Sequence, residues 1–253
     1  MIKIINNLSA ALVKLRSSHY SRIILSNMQT YGTDYDFCEF YELKQGGKRA
    51  AVFSCFNGSL IGDFVEGADI SRASLRETSE FIRFKSPYYA ELPGELVTKS
   101  GVKGYQRVKR CFYEVTAGDN SEGITVPTDL EAVFHTVYSG REASLGLWLT
   151  DTVRRCNMDI TRVYGYKSSV LTVRCRSSEM AYISDVATPI DERGMGYAAR
   201  LMGGVANIMQ SEGYTSYLAA DESRWGYYEH LGYKKIFSDY IYLNKDGALT
   251  DEH

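Results

Sequence analysis

Paired cysteines, a strong net charge and long apolar runs are all missing from this 253-residue sequence, and each absence excludes a class of protein. The five cysteines are an odd number without a C-x-x-C pair, so neither a disulfide framework nor a zinc cluster is indicated, and no metal is predicted. A formal net charge of −2 argues against nucleic acid as a partner. No stretch reaches the ~18 apolar residues of a membrane helix. We therefore expect a cytoplasmic protein with no membrane partner.

The residues that are present fit a soluble globular protein of one or two domains. Hydrophobic residues make up 44% of the sequence and charged residues 24%. The run A-G-D-N-S-E-G at 117–123 contains only small, polar and turn-forming residues, which is typical of a linker. We predict an N-terminal α/β domain at 1–117 and a second domain at 124–253.

The first half predicts helices followed by a meander of strands and another helix. Helical spacing of apolar residues predicts two short helices at the start. Their apolar faces are Ile5, Leu8, Leu12 and Leu15, then Tyr20, Ile24 and Met28. The later elements are strands at 37–43, 49–56 and 59–65 and a helix at 71–83. The basic residues from Lys99 to Arg110 predict a solvated strand face.

The second half predicts two helices, three strands, and then helix, strand, helix and strand. The sequence T-D-L-E at 128–131 resembles a capping box and opens the first helix. The remaining predicted elements are a helix at 142–156, strands at 160–166, 170–176 and 180–187, a helix from 196 that ends near Gly213, a strand at 214–220, a helix at 223–231 and a strand at 235–243.

The stretch D-V-A-T-P-I-D-E-R-G-M-G-Y-A-A at 185–199 joins the third of these strands to the next helix. Gly194 and Gly196 allow backbone angles closed to other residues and let an anion approach the amides. The helix that follows points its unpaired N–H groups at the same place. Arg193 adds a permanent positive charge. Because Ala199 replaces the third glycine of G-x-G-x-x-G and no G-K-[ST] follows, dinucleotide and nucleoside triphosphate sites are disfavoured.

The loop resembles the R-x-x-G-x-G/A acyl-CoA loop of the GNAT acetyltransferase superfamily, in its T-P-P-E-Y-R-G-K-G-Y-A variety. A second motif lies about thirty residues further along. The run Y-E-H-L-G-Y at 228–233 is similar to the family's Y-x-x-L-G-F segment. The resemblance implies the GNAT fold, an α/β fold with a mixed sheet, at about 124–245. The first half lacks both motifs, so it is interpreted as a degenerate GNAT-like domain that holds no acyl-CoA.

The resemblance also implies an activity: transfer of an acetyl group from acetyl-CoA to an amine. Val186, Ala187 and Thr188 would lie along the pantetheine arm, with main-chain groups of Val186 and Thr188 bonded to it. The pyrophosphate would be bound by the amides of Arg193, Gly194, Met195, Gly196, Tyr197 and Ala198. Tyr228 would protonate the leaving thiolate, and its neighbour Tyr227 is interpreted as a packing residue.

Several questions stay open at this level. Asp185, Asp221 and Glu222 are each candidates for the general base, as is water alone. A small-molecule amine or peptide is the expected acceptor, and a homodimer is the expected assembly. A non-catalytic acyl-CoA-binding or assembly module is the alternative function, since the glycine loop could bind a ligand without turnover.

Overall fold

The structure is a computed structural model that describes residues 1–6, 15 and 17–245. The predicted α/β fold with a mixed sheet is confirmed. The helices are α1 (His19–Tyr31), α2 (Arg72–Lys85), α3 (Leu130–Val137), α4 (Leu145–Asn157), α5 (Tyr197–Ser211) and α6 (Trp225–His230). The strands are β1 (Ile2–Ile4), β2 (Cys38–Gln45), β3 (Lys48–Phe56), β4 (Ser59–Phe64), β5 (Tyr89–Glu91), β6 (Tyr105–Glu114), β7 (Arg162–Tyr166), β8 (Ser169–Ser177), β9 (Met180–Ala187), β10 (Thr215–Asp221) and β11 (Lys234–Asn244). In these ranges no helix has both the length and the apolar character needed to cross a membrane.

The predicted first helix is wrong where the structure describes it. Ile5 directly follows the strand Ile2–Ile4, which pairs antiparallel with β2, and its amide donates to the Phe40 carbonyl. The spacing of apolar residues could not reveal this pairing, because the partner strand lies about forty residues away in the sequence. Leu15 forms an isolated antiparallel bridge with Val65. Leu8 and Leu12 lie outside the described residues.

The chain divides into two compact units, of which the first contains residues 1–110 and 238–253. Its strands follow the order β1-β2-β3-β4-β5-β11. β1 to β4 are antiparallel neighbours, whereas β5 runs parallel to β4, and α2 forms the crossover between them. Two-residue turns at Gly46-Gly47 and Asn57-Gly58, all at positive φ, close the hairpins.

Arg110 does not lie on a solvated strand face, so that interpretation of the basic run is wrong for this residue. Its side chain is buried, and Nη1 donates to Glu91 Oε1 at 2.9 Å. Glu91 ends β5, and its second oxygen lies 3.2 Å from Nε2 of the buried His19. Burial accounts for the lowered pKa of His19. The first unit therefore contains a buried ionic cluster formed by residues from α1, β5 and β6.

The second unit contains residues 111–237, and its strands follow the order β6-β10-β9-β8-β7. β7, β8 and β9 are antiparallel neighbours, and α5 connects β9 to the parallel strand β10. Leu201, Met202, Val205 and Met209 of α5 are fully buried against this sheet. At α3 the N-cap is Asp129, whose side chain accepts from the Ala132 amide, so the helix begins one residue later than the capping-box pattern predicts.

The unit boundary falls inside β6, after Arg110, and inside β11, after Phe237. The predicted domains at 1–117 and 124–253 place it elsewhere and stay a prediction.

The run at 117–123 that resembles a linker packs on α5 within the second unit. The Gly118 amide donates to the Gly203 carbonyl at 2.8 Å, and the Arg200 side chain donates to Asn120. Polar and glycine-rich composition here permits close contact between backbones.

Gly203 offers a test of this contact. A Cβ on Gly203 would lie 3.3 Å from Cα and N of Gly118, both of them backbone atoms, so the two segments must separate. We expect Gly203→Ala to lower the free energy of unfolding by about 1–2 kcal/mol, because the cost of overpacking exceeds the roughly 0.4–1 kcal/mol gained when a helical glycine is replaced. Gly146→Ala in α4 is the matched control, since its Cβ would meet nothing within 4 Å. It should instead stabilise by about 0.4–1 kcal/mol. Urea unfolding of both variants is the measurement, and a stabilised Gly203→Ala protein would contradict the close contact.

Candidate active site

β9 and β10 separate from each other at the site. Their parallel register runs from Met180 and Thr215 to Ile183 and Leu218, and no later pair is recorded between them among the described residues. A β-bulge lies at this point, because Ser184 to Ala187 on β9 oppose only the two-residue step from Thr172 to Val170 on β8. Asp185 takes the strained left-handed conformation of the bulge, with φ at 54°. The strands therefore diverge and leave a gap toward their carboxyl ends.

Val186, Ala187 and Thr188 follow the bulge along one side of this gap. Ala187 is held in register by Val170 of β8. The Thr188 hydroxyl lies 2.7 Å from the Ser169 hydroxyl, which fixes its side chain. The three residues thus form a half-exposed strand end supported from β8, and an extended ligand could lie beside it as an added strand.

The glycine loop lies at the mouth of the gap and leads into α5. Gly194 and Gly196 have φ values of 81° and 77°, and a Cβ at either position would meet nothing within 4 Å. The first hydrogen bond of α5 runs from the Arg200 amide to the Gly196 carbonyl. In the described part of the chain, no backbone acceptor is recorded for the amides of 194–199. These N–H groups and the helix dipole together favour an anion at this position.

The Arg193 side chain is oriented by the loop itself. Its Nε donates to the Thr188 carbonyl at 3.1 Å, and the residue is exposed. This contact uses one donor and leaves the terminal nitrogens of the guanidinium for another acceptor. Arg193 therefore has a local structural role as well as a charge beside the amides.

Tyr228 lies on α6 and is 5% exposed, whereas the neighbouring Tyr227 is 44% exposed. The Tyr228 ring stacks against Tyr233 and lies 5.7 Å from the Tyr113 ring. Burial raises the pKa of Tyr228, and the nearby Arg224 guanidinium opposes this effect. The phenol is therefore protonated at neutral pH and can donate a proton.

The three candidate bases differ in their surroundings. Asp185 accepts hydrogen bonds from the Tyr138 hydroxyl at 2.7 Å and from the Ser184 hydroxyl at 3.0 Å. Asp221 caps the turn after β10 by accepting from the Ser223 amide at 3.1 Å. Both line the same cavity, whereas Glu222 is exposed and does not line it.

One cavity of about 900 Å³ brings these groups together. The strand end at 186–188, the loop at 193–198 and the side chain of Tyr228 all line it. Sequence reasoning did not identify Tyr138, at the end of α3, or Arg224, directly before α6. A contact between positions 138 and 185 has no local signal, but the spacing of Arg224 and Tyr228, four residues apart, could have indicated a shared helix face.

This geometry agrees with the family comparison. Residues 154–236 match the family model described as acetyltransferase (GNAT) domain. Residues 154–236, about a third of the chain, are therefore similar to a GNAT acetyltransferase domain. This domain holds the glycine loop and Tyr228, and acetyl-CoA is the cosubstrate of the family. No curated protein matches the sequence at a significant level.

Solved GNAT structures share the fold over nearly the whole chain. A GCN5-related N-acetyltransferase from Kribbella flavida is 15% identical with a TM-score of 0.59, covering 93% of this chain and 99% of its own. One from Sphaerobacter thermophilus is 13% identical with a TM-score of 0.58, covering 95% of this chain and 94% of its own. A tandem GNAT protein from the clavulanic acid biosynthesis pathway is 11% identical with a TM-score of 0.54, covering 96% and 98%. At these identities the likeness concerns the fold alone.

Proposed function

We propose that the second unit is an N-acetyltransferase that transfers an acetyl group from acetyl-CoA to the amine of a small molecule or peptide. The observation that carries this proposal is the shared cavity, which is lined both by loop amides that have no recorded backbone partner in the described chain and by a buried phenol. A binding loop alone would support a binding module, but the buried phenol in the same cavity favours a reaction.

The loop fits the diphosphate of coenzyme A. The amides of 194–198 have no recorded backbone partner in the described chain, and the absence of Cβ atoms at Gly194 and Gly196 leaves room for oxygen atoms. Arg193 would add a charge-assisted contact. Along the gap, main-chain groups of Val186 and Thr188 would hold the pantetheine arm, although the Thr188 carbonyl already accepts from Arg193.

The reaction needs one proton removed and one supplied. A bound thioester supplies an activated acetyl carbon and a thiolate leaving group. Tyr228 would protonate the sulfur, since it is buried, protonated and part of the cavity lining. Asp185 and Asp221 stay candidates for the base, acting directly or through water. Glu222 is the weakest of the three because it does not line the cavity.

We also propose that the first unit is a degenerate GNAT-like half, as in a tandem protein. Its order α1-β2-β3-β4-α2-β5, with β4 and β5 parallel, repeats the order that leads to β9, α5 and β10. No glycine loop precedes α2, where the Ser71 side chain accepts from the Ser74 amide. Asp63 on β4 accepts from Ser18 and Ser21 hydroxyls, so α1 occupies the end of that strand. One coenzyme A molecule per chain is expected.

The location and assembly of the protein follow as smaller proposals. The odd number of cysteines without a C-x-x-C pair supports a reducing, cytoplasmic compartment. A homodimer stays a prediction.

Thermal unfolding with coenzyme A, ATP and NAD tests the cofactor. Coenzyme A at a hundred times its dissociation constant should stabilise by about 2.7 kcal/mol, and ATP and NAD should stabilise far less. Release of free thiol from acetyl-CoA, measured against a panel of amines, then tests turnover. Stabilisation by NAD or ATP without coenzyme A would overturn the proposal.

A variant of the glycine loop tests whether coenzyme A binds at the anion site. Gly196→Ala places a Cβ at φ 77°, and we expect it to weaken coenzyme A binding about tenfold or more by displacing the amides. Gly213→Ala, at φ 87° beyond the other end of α5, is the matched control with similar backbone strain. Its coenzyme A affinity should equal that of the wild type. Equal losses in both variants would mean that backbone strain alone explains the effect.

A further inference from the structure

We propose that Arg224 is a positioning residue that orients the Tyr228 hydroxyl toward the leaving sulfur and offsets the negative charge left on it. This inference rests on the proposed acetyl transfer. Arg224 is the N-cap residue of α6 and lies four residues before Tyr228, so both side chains share one helix face. Both also line the cavity. The Arg224 guanidinium lies near enough to the phenol to lower its pKa.

The charge on Arg224 is available for this task. In the described ranges, no carboxylate is recorded within salt-bridge distance of its guanidinium. The other arginine that lines the cavity, Arg193, is turned toward the Thr188 carbonyl. Lys235, another cation near α6, lies over the Trp225 ring at 5.3 Å. Of the two arginines that line the cavity, Arg224 is therefore the one whose charge can act on the Tyr228 phenol.

The burial of Tyr228 explains why a nearby positive charge would assist proton donation. Removing the phenol from water raises its pKa, which makes proton donation harder and leaves a phenolate that burial destabilises. A nearby guanidinium stabilises the phenolate more than the phenol. Arg224 would thus lower the barrier to proton transfer without contacting the acetyl group.

The remaining groups around Tyr228 do not replace this charge. Tyr227 on α6 and Tyr233 after it are phenols, and Tyr113 from β6 donates to Glu229 at 3.3 Å. Asp221, at the end of β10, raises the pKa of Tyr228.

The proposed step balances. As the acceptor nitrogen bonds to the acetyl carbon, the carbon–sulfur bond breaks and sulfur takes the electron pair. Tyr228 gives its proton to sulfur and keeps the negative charge, which Arg224 offsets. The proton lost by the acceptor nitrogen returns through the base or water and restores the phenol.

A double-mutant cycle tests the coupling. We expect Arg224→Gln to lower kcat about 10- to 100-fold with KM for acetyl-CoA within about twofold, and Arg224→Lys to recover part of the loss. In a Tyr228→Phe background, Arg224→Gln should cause no further loss, because its effect passes through the phenol. An equal loss in both backgrounds, or a loss confined to KM, would overturn the proposal. Lys235→Gln is the control for removing a nearby cation.

A titration provides a readout without turnover. The ultraviolet absorbance of phenolate is followed against pH in the wild type and Tyr228→Phe, and the difference isolates Tyr228. The same difference is then taken in the Arg224→Gln background, where we expect the transition at higher pH. An unchanged transition would overturn the proposal. If coenzyme A does not bind or no amine is acetylated, the proposed function fails, whereas this titration still decides whether Arg224 acts on Tyr228.

Discussion

Replacement of Tyr228 by phenylalanine is expected to lower kcat by about 10²- to 10⁴-fold, the usual contribution of a general acid. The ring and its stacking on Tyr233 are retained, so only the hydroxyl is lost. Coenzyme A affinity should stay the same, because the loop amides and the strand end at 186–188 are unchanged. Steady-state release of thiol and calorimetric binding of coenzyme A are the two measurements.

The adjacent tyrosine provides the control. Tyr227→Phe removes a hydroxyl from the same helix at a 44% exposed position, and its kcat should stay within about twofold of the wild type. If both variants keep full turnover, Tyr228 packs against its neighbours without donating a proton. If the wild type binds coenzyme A and acetylates no amine, the alternative of a non-catalytic binding module is favoured.

The parts of the site that could be predicted from the sequence are those with local signals. Gly194, Gly196 and the start of α5 form one continuous segment, and backbone geometry there depends on residue types within a few positions. The element order of the second half could also be predicted, because the apolar period changes clearly from helix to strand. The roles of these residues remain proposals, since they depend on a ligand.

The parts that could not be predicted depend on distant partners. β1 forms only because β2 offers a free edge, and the partner of Asp185 lies 47 residues away at Tyr138. The segment at 117–123 has the composition of a linker, but Gly203 on α5 allows it to pack closely. The environment of Arg110 was mispredicted for the same reason. A basic run predicts solvent-exposed side chains, whereas the Arg110 side chain is buried.

The buried cluster around Arg110 carries the largest expected effect on stability. Burial alone would raise the pKa of Glu91, but Arg110 and His19 outweigh it and hold that pKa well below its usual range. Glu91→Gln would remove the carboxylate that lies 2.9 Å from Arg110 and leave Asp239, at 3.7 Å, as the other carboxylate near the guanidinium. We expect a loss of about 3 kcal/mol in the free energy of unfolding, measured by urea, which is the low end of the range for breaking a buried pair because Asp239 compensates part of the charge. Glu80→Gln, which breaks an exposed pair with Arg83, should cost less than about 1 kcal/mol.

Acid should weaken the contributions of His19 and Glu91 to the stability of the wild-type protein. The lowered pKa of His19 means that the unfolded chain binds a proton near pH 6.5 while the folded chain does not, so stability falls as pH drops through this value. The lowered pKa of Glu91 adds a second loss below about pH 4.5, where the unfolded carboxylate is protonated first. Asp239, which lies 3.7 Å from Arg110, has the opposite effect, because burial raises its pKa to about 7 and the folded chain takes up that proton first. The contribution of His19 is therefore measured as the difference in urea midpoint between wild type and a His19→Gln protein from pH 8 to pH 4. This difference should shift against the wild type as pH falls through 6.5, and an identical pH dependence in both proteins would contradict a buried, neutral His19.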